Sequence, residues 1–187
     1  MLESAHHGDL WLNLELLSLE PRRLQKLAAE LASQVAKHDP EMICGPLVEG
    51  AFVGLLVASE LNVPFCYSER FARPAHDGLF PAAYRIPAAF QSSVRGKRVI
   101  VVNDVTNGGS AVKGTFEDLR AHVACVVGFG SLLVLGSALF EFAAATKTHV
   151  ECLATLPNKL WTESECPLCA SGIPLEDAGE FRKALAT

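Results

Sequence analysis

The chain has 187 residues, a length that fits one domain with a full hydrophobic core. Half of the residues are hydrophobic and 20% are charged, which is typical of a globular protein and excludes a disordered one. The formal net charge of −5 argues against a nucleic-acid partner attracted by general electrostatics, so an anionic ligand would need locally placed cations. Candidates for these cations are Arg70, Arg73, Arg85, Arg95 and Lys97.

The sequence also argues against a membrane partner. Residues 1–9 lack the basic and apolar regions of a signal peptide. The apolar run Val123–Ala145 is interrupted by glycines and carries Glu141 near its end, so we interpret it as a strand and a helix rather than a membrane span. Six cysteines without a secretory signal predict reduced thiols in a cytoplasm.

Hydrophobic periodicity predicts strands and helices that alternate along the chain. Leu10, Leu12 and Leu14 alternate as on one face of a strand, and Pro21–His38 has the spacing of an amphipathic helix. The further elements, in chain order, are strand Met42–Cys44, helix Ala51–Leu61, strand Val63–Tyr67, a loop at Ser68–Gly78, strands Ala82–Ile86, Phe90–Val94 and Val99–Val102, helix Gly109–Ala121, strand Ala124–Val127, helix Ser137–Ala145, strand His149–Thr155 and helix Glu176–Ala186. This order predicts a single α/β domain over residues 1–187 with a mostly parallel central sheet flanked by helices.

A hydrophobic strand followed by a polar, glycine-rich loop lies in the middle of the chain. Val99–Val102 are β-branched, Asn103 and Asp104 follow them, and the loop Val105–Gly109 leads to Ser110 at the start of a helix. Ligands of open α/β sheets bind at the carboxyl ends of strands, where these polar residues lie. The stretch is therefore the first candidate for a binding site.

The chemistry of this loop favours a sugar phosphate. Glycines let backbone N–H groups approach an anion closely, and a helix N-terminus adds positive potential. Thr106 and Ser110 add hydroxyl donors, whereas Asp104 suits ribose hydroxyls or a hydrated Mg²⁺. An ordinary strand–turn–helix connection is the alternative interpretation.

The stretch resembles the motif that binds 5-phosphoribosyl pyrophosphate (PRPP) in the type I phosphoribosyltransferases, and the orotate phosphoribosyltransferase pattern Asp-Asp-Val-Ile-Thr-Ala-Gly-Thr-Ala is nearest. The resemblance implies Mg²⁺ as cofactor, carried by PRPP, and a PRPP site that includes Asn103, Asp104, Val105, Thr106, Asn107, Gly108, Gly109 and Ser110. One departure is Asn103, which stands where the family usually has its first acidic residue. Asn103 can accept a hydrogen bond from a ribose hydroxyl but carries no charge to attract Mg²⁺.

Two further segments resemble the same family in the same chain order. Gly45–Ala51 resembles its pyrophosphate-binding loop, which implies contacts from Val48, Glu49 and Gly50, although Glu49 stands where the family often has Lys. In the loop after the next strand, Arg70, Arg73 and His76 match basic residues that close over the leaving pyrophosphate, whereas Glu69 replaces one. A plain βα turn and a solvated surface loop are the respective alternatives.

The N-terminal segment resembles the part of orotate phosphoribosyltransferases that forms a hood over the base. Residues 1–20 would form the hood, with Ser4, Gly8, Asp9 and Trp11 in matching register. His7 and Trp11 are the implied base contacts, and a polar loop with solvated histidines is the alternative.

The C-terminal tail, residues 158–187, carries Cys166 and Cys169 at the spacing of half a zinc site or a redox pair. His149 and Cys152 lie three residues apart on a predicted strand and would point to opposite faces, which disfavours a four-ligand site. A metal shared across a dimer stays open, and the favoured interpretation is a tight turn near Trp161 with free thiols.

The resemblance implies transfer of a 5-phosphoribosyl group from PRPP to a nitrogenous base, orotate or a related pyrimidine, with release of pyrophosphate. Asp104, Arg73 and His76 are the implied catalytic residues, in a homodimeric enzyme of nucleotide metabolism. Because Asn103, Glu49 and Glu69 each remove a favourable charge, a PRPP- or nucleotide-binding regulatory protein without turnover is the alternative. A third hypothesis is an interaction protein organised on a metal at Cys166 and Cys169.

Overall fold

The computed structural model describes residues 7–10, 12, 14–72 and 82–174. The strands are β1 (His7–Gly8), β2 (Met42–Pro46), β3 (Phe65–Ala72), β4 (Ala82–Arg85), β5 (Arg98–Thr106), β6 (Cys125–Leu135), β7 (His149–Leu156) and β8 (Leu160–Trp161). The helices are α1 (Pro21–Val35), α2 (Glu49–Leu61), α3 (Ala88–Val94), α4 (Ser110–Ala121), α5 (Ala138–Thr146) and α6 (Pro167–Ala170). Three short 3₁₀ helices are Glu15–Leu19, Ala36–His38 and Glu163–Glu165.

The central sheet has six strands in the order β4-β3-β2-β5-β6-β7. All neighbouring pairs are parallel except β3 and β4, which form an antiparallel edge. A second, two-stranded antiparallel sheet joins β1 to β8, so that residues from the two ends of the chain meet. The predicted α/β fold with a mostly parallel, helix-flanked sheet is therefore confirmed.

Both faces of the central sheet are buried, because its strands alternate with period two between two apolar layers. Ile43, Ile100 and Val102 pack against α1 and α2 on one face. Val99 and Val101 point the other way, into a layer with residues of α4 and α5. Each fully buried side chain of this size stabilises the fold by about 1.5–3 kcal/mol, so the sheet is a rigid platform for the loops at its ends.

The strand predicted at Phe90–Val94 is wrong, since α3 covers this segment. Pro87 precedes the first turn and two alanines follow it, an arrangement that favours a helix start. Phe90 and Val94 are four residues apart, and both contact the same apolar layer, as the helical repeat allows. An apolar run with this spacing fits either element, and the tertiary contacts select the helix.

β6 is much longer than the predicted strand Ala124–Val127 and runs through Gly128 and Gly130. A Cβ at Gly130 would lie 3.2 Å from Val35 and 3.3 Å from Val102, so glycine lets α1 pack closely on the strand. The glycines thus serve close packing within the strand and do not end it.

The alternation of Leu10, Leu12 and Leu14 does not produce a strand there. Among the described residues before Glu15, only His7–Gly8 form a strand, and the chain enters a 3₁₀ helix at Glu15. The predicted helix Glu176–Ala186 lies outside the described residues. Among the residues described, no helix combines the length and apolarity that crossing a bilayer requires.

Candidate active site

β2 and β5 are neighbouring parallel strands, and we refer to the space between the loops at their carboxyl ends as the crevice. From β2 the chain passes through α2 to β3 on one side, whereas from β5 it passes through α4 to β6 on the other. The loops after these two neighbouring strands therefore diverge, and such a switch point is where open α/β sheets bind ligands. Both sequence motifs, the pyrophosphate-type loop and the glycine-rich loop, lie there.

The backbone at the start of α2 packs directly against the end of β5. A Cβ added at Gly50 would collide with Oδ1 of Asn103, and a Cβ at Gly45 would lie 2.5 Å from the Gly50 carbonyl oxygen. The Asn103 amide is held in place because its Nδ2 donates to the Val105 carbonyl at 2.7 Å. These glycines are needed for close approach, and they bring the two loops to either side of Asn103.

Val48 and Glu49 lie where the first loop enters α2. The Leu47–Val48 peptide is cis, and the Leu47 N–H donates to the Ser68 carbonyl at 2.9 Å, which ties the loop to β3. Glu49 is in the first turn of α2, where a carboxylate is stabilised by the helix dipole. This local role explains why an acidic residue is tolerated at a position where the resemblance favours a cation.

The glycine-rich loop leads into α4 through Gly109, whose φ of 79° is left-handed and favours glycine. Ser110 begins the helix, so backbone N–H groups of its first turn lack intrahelical partners. These N–H groups are donors of the kind that an anion requires, and phosphate binding at this loop stays a prediction.

Thr106 does not present its hydroxyl in this loop. It is the last residue of β5, is 1% exposed, and lies with Oγ1 3.2 Å from Oγ of Ser131 inside the sheet. In the register of the orotate phosphoribosyltransferase pattern, Thr106 takes the place of the apolar Ile, and Asn107 takes that of the Thr. The Thr106 hydroxyl, which was expected to donate to a ligand in the loop, instead contacts the neighbouring strand. Asn107 is the residue at the position of the pattern's Thr.

Asn107 carries a donor without a partner. Its Oδ1 accepts a hydrogen bond from Nδ2 of Asn158 at 2.8 Å. Its own Nδ2 is buried and finds no acceptor among the described residues. Oδ1 of Asn158 is likewise buried without a partner, so this amide pair is incompletely hydrogen-bonded, which is costly in a buried setting.

Lys113 is a cation of this loop that sequence reasoning missed. Its Nζ donates to the Gly108 carbonyl at 2.9 Å, and a Cβ on Gly109 would lie 3.3 Å from its Cε. Burial lowers the pKa of Lys113, and the negative charge of Glu141 opposes that shift. The available signal was its position four residues after Gly109, which places it one helical turn above the loop.

The other residues predicted for the site lie in separate parts of the fold. Arg70 lies within β3, paired with Tyr84 of β4, and not in a loop. His7 is buried, with Nδ1 3.2 Å from Sγ of Cys169, so its contact with a base stays a prediction. Trp11, Arg73 and His76 lie outside the described residues. Asp104 is half-buried in β5, between Asn103 and Val105.

Comparison with known proteins identifies the family. Residues 15–157 match the phosphoribosyl transferase domain. Orotate phosphoribosyltransferase from Caldanaerobacter subterraneus subsp. tengcongensis is 27% identical over 96% of this chain and 87% of its own length. The Thermotoga maritima protein of the same name is 28% identical over 96% of this chain and 88% of its own.

Solved structures agree on the fold. Orotate phosphoribosyltransferase from Aeropyrum pernix has a TM-score of 0.61 at 21% identity and covers 78% of each chain. Adenine phosphoribosyltransferase from Thermoanaerobacter pseudethanolicus has a TM-score of 0.64 at 15% identity and covers 78% of this chain and 88% of its own. The chain belongs to the phosphoribosyl transferase domain family. It is a glycosyltransferase of the pentosyltransferase class, which moves a phosphoribosyl group.

Proposed function

We propose that this phosphoribosyltransferase transfers the 5-phosphoribosyl group of PRPP to orotate or a related pyrimidine and releases pyrophosphate. The main support is the crevice between β2 and β5, where Gly50 packs on Asn103 beside the glycine-rich loop. The choice of a pyrimidine rests on relatives that carry the name orotate phosphoribosyltransferase and align with nearly the whole chain.

In this proposal the 5′-phosphate of PRPP occupies the loop Asn107–Ser110. Backbone N–H groups of the first turn of α4 donate to its oxygens. Lys113 adds positive charge from the next turn of the helix. The ribose hydroxyls then lie near Asp104 at the carboxyl end of β5, where a carboxylate accepts their hydrogen bonds.

The donor set also fits Mg²⁺ carried by PRPP. Hard oxygen ligands such as the carboxylate of Asp104 suit this ion, which usually keeps several waters and bridges substrate phosphates. When bound, Mg²⁺ neutralises part of the pyrophosphate charge. Asn103 contributes only an uncharged oxygen, and that oxygen contacts Gly50, so Asp104 is the residue that we assign to this role.

The reaction forms one bond and breaks two. The reacting ring nitrogen of the base loses its proton to solvent and forms a bond to the anomeric carbon, and the bond from that carbon to the pyrophosphate oxygen breaks, with its electron pair leaving on pyrophosphate. The chain's part is to hold the two ends of PRPP and to stabilise the departing charge. Amides of the Gly45–Gly50 loop and Arg70 are proposed for the leaving group, with Arg73 and His76 predicted to join them.

The experiment measures pyrophosphate release from Mg·PRPP with orotate, uracil, adenine and hypoxanthine, alongside calorimetric binding of Mg·PRPP. Release with orotate or uracil, and with neither purine, supports the proposal. Release only with a purine contradicts the pyrimidine assignment. Binding without release for every base would establish the regulatory alternative, and absence of binding would remove the crevice as the PRPP site.

We further propose that the enzyme is a homodimer and acts in the cytoplasm, with no nucleic-acid or membrane partner. Phe52 and Leu55 of α2 and Val48, which directly precedes the helix, follow one another at helical spacing and are each about half exposed. Leu16 and Leu19 of the preceding 3₁₀ helix add further exposed apolar area. Several large apolar side chains exposed on one part of a protein are typical of a protein–protein interface.

A further inference from the structure

Three potential metal ligands from opposite ends of the chain meet outside the PRPP crevice. They are His7 of β1, together with Cys166 and Cys169 on either side of the start of α6. Nδ1 of His7 lies 3.2 Å from Sγ of Cys169, and the three ligand atoms all lie within 4.8 Å of one another. His7 and Cys166 are buried, and Cys169 is exposed.

The fold builds this cluster from separate parts. β1 pairs with β8 in the register His7 to Trp161, which brings the imidazole to the tail. The chain then turns through Glu163–Glu165 into the single helical turn of α6, which presents the cysteines at positions i and i+3, on one side. Neither cysteine is needed to form the crevice, so the cluster requires its own explanation.

The chemistry of the donors selects the kind of metal. Two sulfur ligands and one imidazole suit zinc, whereas Mg²⁺ and Ca²⁺ prefer oxygen ligands. Zinc–sulfur and zinc–nitrogen bonds are about 2.3 and 2.0 Å long. In tetrahedral coordination, such bonds separate the ligand atoms by roughly 3.4–3.8 Å. The 3.2 Å separation of Nδ1 of His7 and Sγ of Cys169, and the 4.8 Å upper limit on all three separations, are compatible with ligands that close slightly around an ion.

We propose that His7, Cys166 and Cys169 bind one zinc ion per chain and are the three ligands that the described residues supply. The ion fastens β1 to the tail and thereby holds the small β1–β8 sheet together. The same sheet is tied to the active-site loop, because Lys159 N–H donates to Asp9 at 3.0 Å and Asn158 donates to Asn107. Two-residue strands are too short to hold this arrangement without a further constraint.

A disulfide between Cys166 and Cys169 is the competing arrangement. Such a bond would use both sulfurs and would give the buried His7 ring no role. The zinc site uses all three groups.

The first test measures zinc in the full-length protein by inductively coupled plasma mass spectrometry, after reduction, incubation with zinc and removal of unbound metal. We expect one equivalent in the wild type and loss of it in His7→Ala and in Cys169→Ser, whose side chain is exposed enough to tolerate the change. The matched controls Cys125→Ser and His122→Ala should keep the full equivalent. Wild-type protein without zinc, or variants that retain it, would overturn the site.

The second test needs no variant and therefore does not depend on variant folding. Co²⁺ added to reduced, metal-free wild-type protein should give intense visible ligand-field bands and a near-ultraviolet thiolate-to-metal band. A weak spectrum without the thiolate band would overturn the proposal. An intact mass lower by two hydrogens, together with no metal uptake after reduction, would instead assign the cysteines to a redox pair.

Discussion

Oδ1 of Asn103 lies where a Cβ of residue 50 would be, so the end of β5 and the start of α2 can approach only if residue 50 is glycine. We therefore expect Gly50→Ala to destabilise the protein by about 1–3 kcal/mol, the usual range for overpacking, and to weaken PRPP binding. Urea unfolding and calorimetry measure the two effects. The double variant Gly50→Ala/Asn103→Ala, which removes the colliding oxygen, should recover most of the stability. No recovery would place the cause elsewhere.

Asp104 is expected to bind the ribose hydroxyls of PRPP, while Arg73 acts later in the reaction. Asp104→Asn keeps the size but removes the charge, and it should weaken Mg·PRPP binding by roughly tenfold or more, since hydrogen bonds to charged groups contribute about 1.5–3 kcal/mol. Arg73→Ala should instead lower kcat with little change in PRPP affinity. Calorimetry and steady-state kinetics separate these effects. Unchanged PRPP affinity in Asp104→Asn would refute the assignment of this residue.

The order of elements and the two loop motifs could be predicted because they depend on local patterns. Strand Val99–Val102, the glycine-rich loop and helix Gly109–Ala121 follow from residues near one another in the chain, and the structure has these elements within a few residues. The family resemblance rested on the same short segments, so it could be recognised from them.

The errors concern contacts between distant segments or small shifts of register. Assigning Thr106 to the open loop was a shift of one residue, and in a strand such a shift reverses the side chain's direction. The contact between His7 and Cys169 depends on the pairing of β1 with β8, which no local sequence pattern indicates. Lys113 was overlooked because a lysine on a helix is usually solvated. Only the folded structure shows that its Nζ donates a hydrogen bond to the Gly108 carbonyl.

Lys113 provides a test of the phosphate loop. Lys113→Met keeps the apolar stem and removes the charge, so the KM for PRPP should rise about tenfold while kcat changes little. Because burial lowers the pKa of Lys113, its charge is lost at lower pH than that of an ordinary lysine. PRPP affinity should therefore fall as pH rises through that lowered value. Lys113→Arg should keep its affinity to higher pH, and a wild-type profile matching that of Lys113→Arg would contradict this role.

The apolar face of α2 provides a test of the dimer. Leu55→Glu places a charge in the proposed interface and should convert a dimer to a monomer, as measured by sedimentation velocity. The control Leu156→Glu changes an exposed leucine at the end of β7 and should leave the dimer intact. A monomeric wild type would contradict the proposal directly.

Glu151 connects β7 to the end of α1 and should make stability depend on pH. Its carboxylate lies 2.8 Å from Nε2 of His38 and 2.9 Å from Nζ of Lys37. Burial alone would raise the pKa of Glu151, but the hydrogen bonds from His38 and Lys37 outweigh it and hold the pKa below its ordinary value. Because the pKa of Glu151 is lower in the folded than in the unfolded state, its stabilisation is present above the unfolded pKa and is lost as pH falls through the folded pKa.

Glu151→Gln should thus cost about 1 kcal/mol at neutral pH and progressively less in acid, as measured by urea unfolding across pH. The exposed Glu117→Gln is the control and should change stability little at any pH, whereas an equal loss for Glu151→Gln at neutral and acidic pH would show that the charge of Glu151 is not the cause.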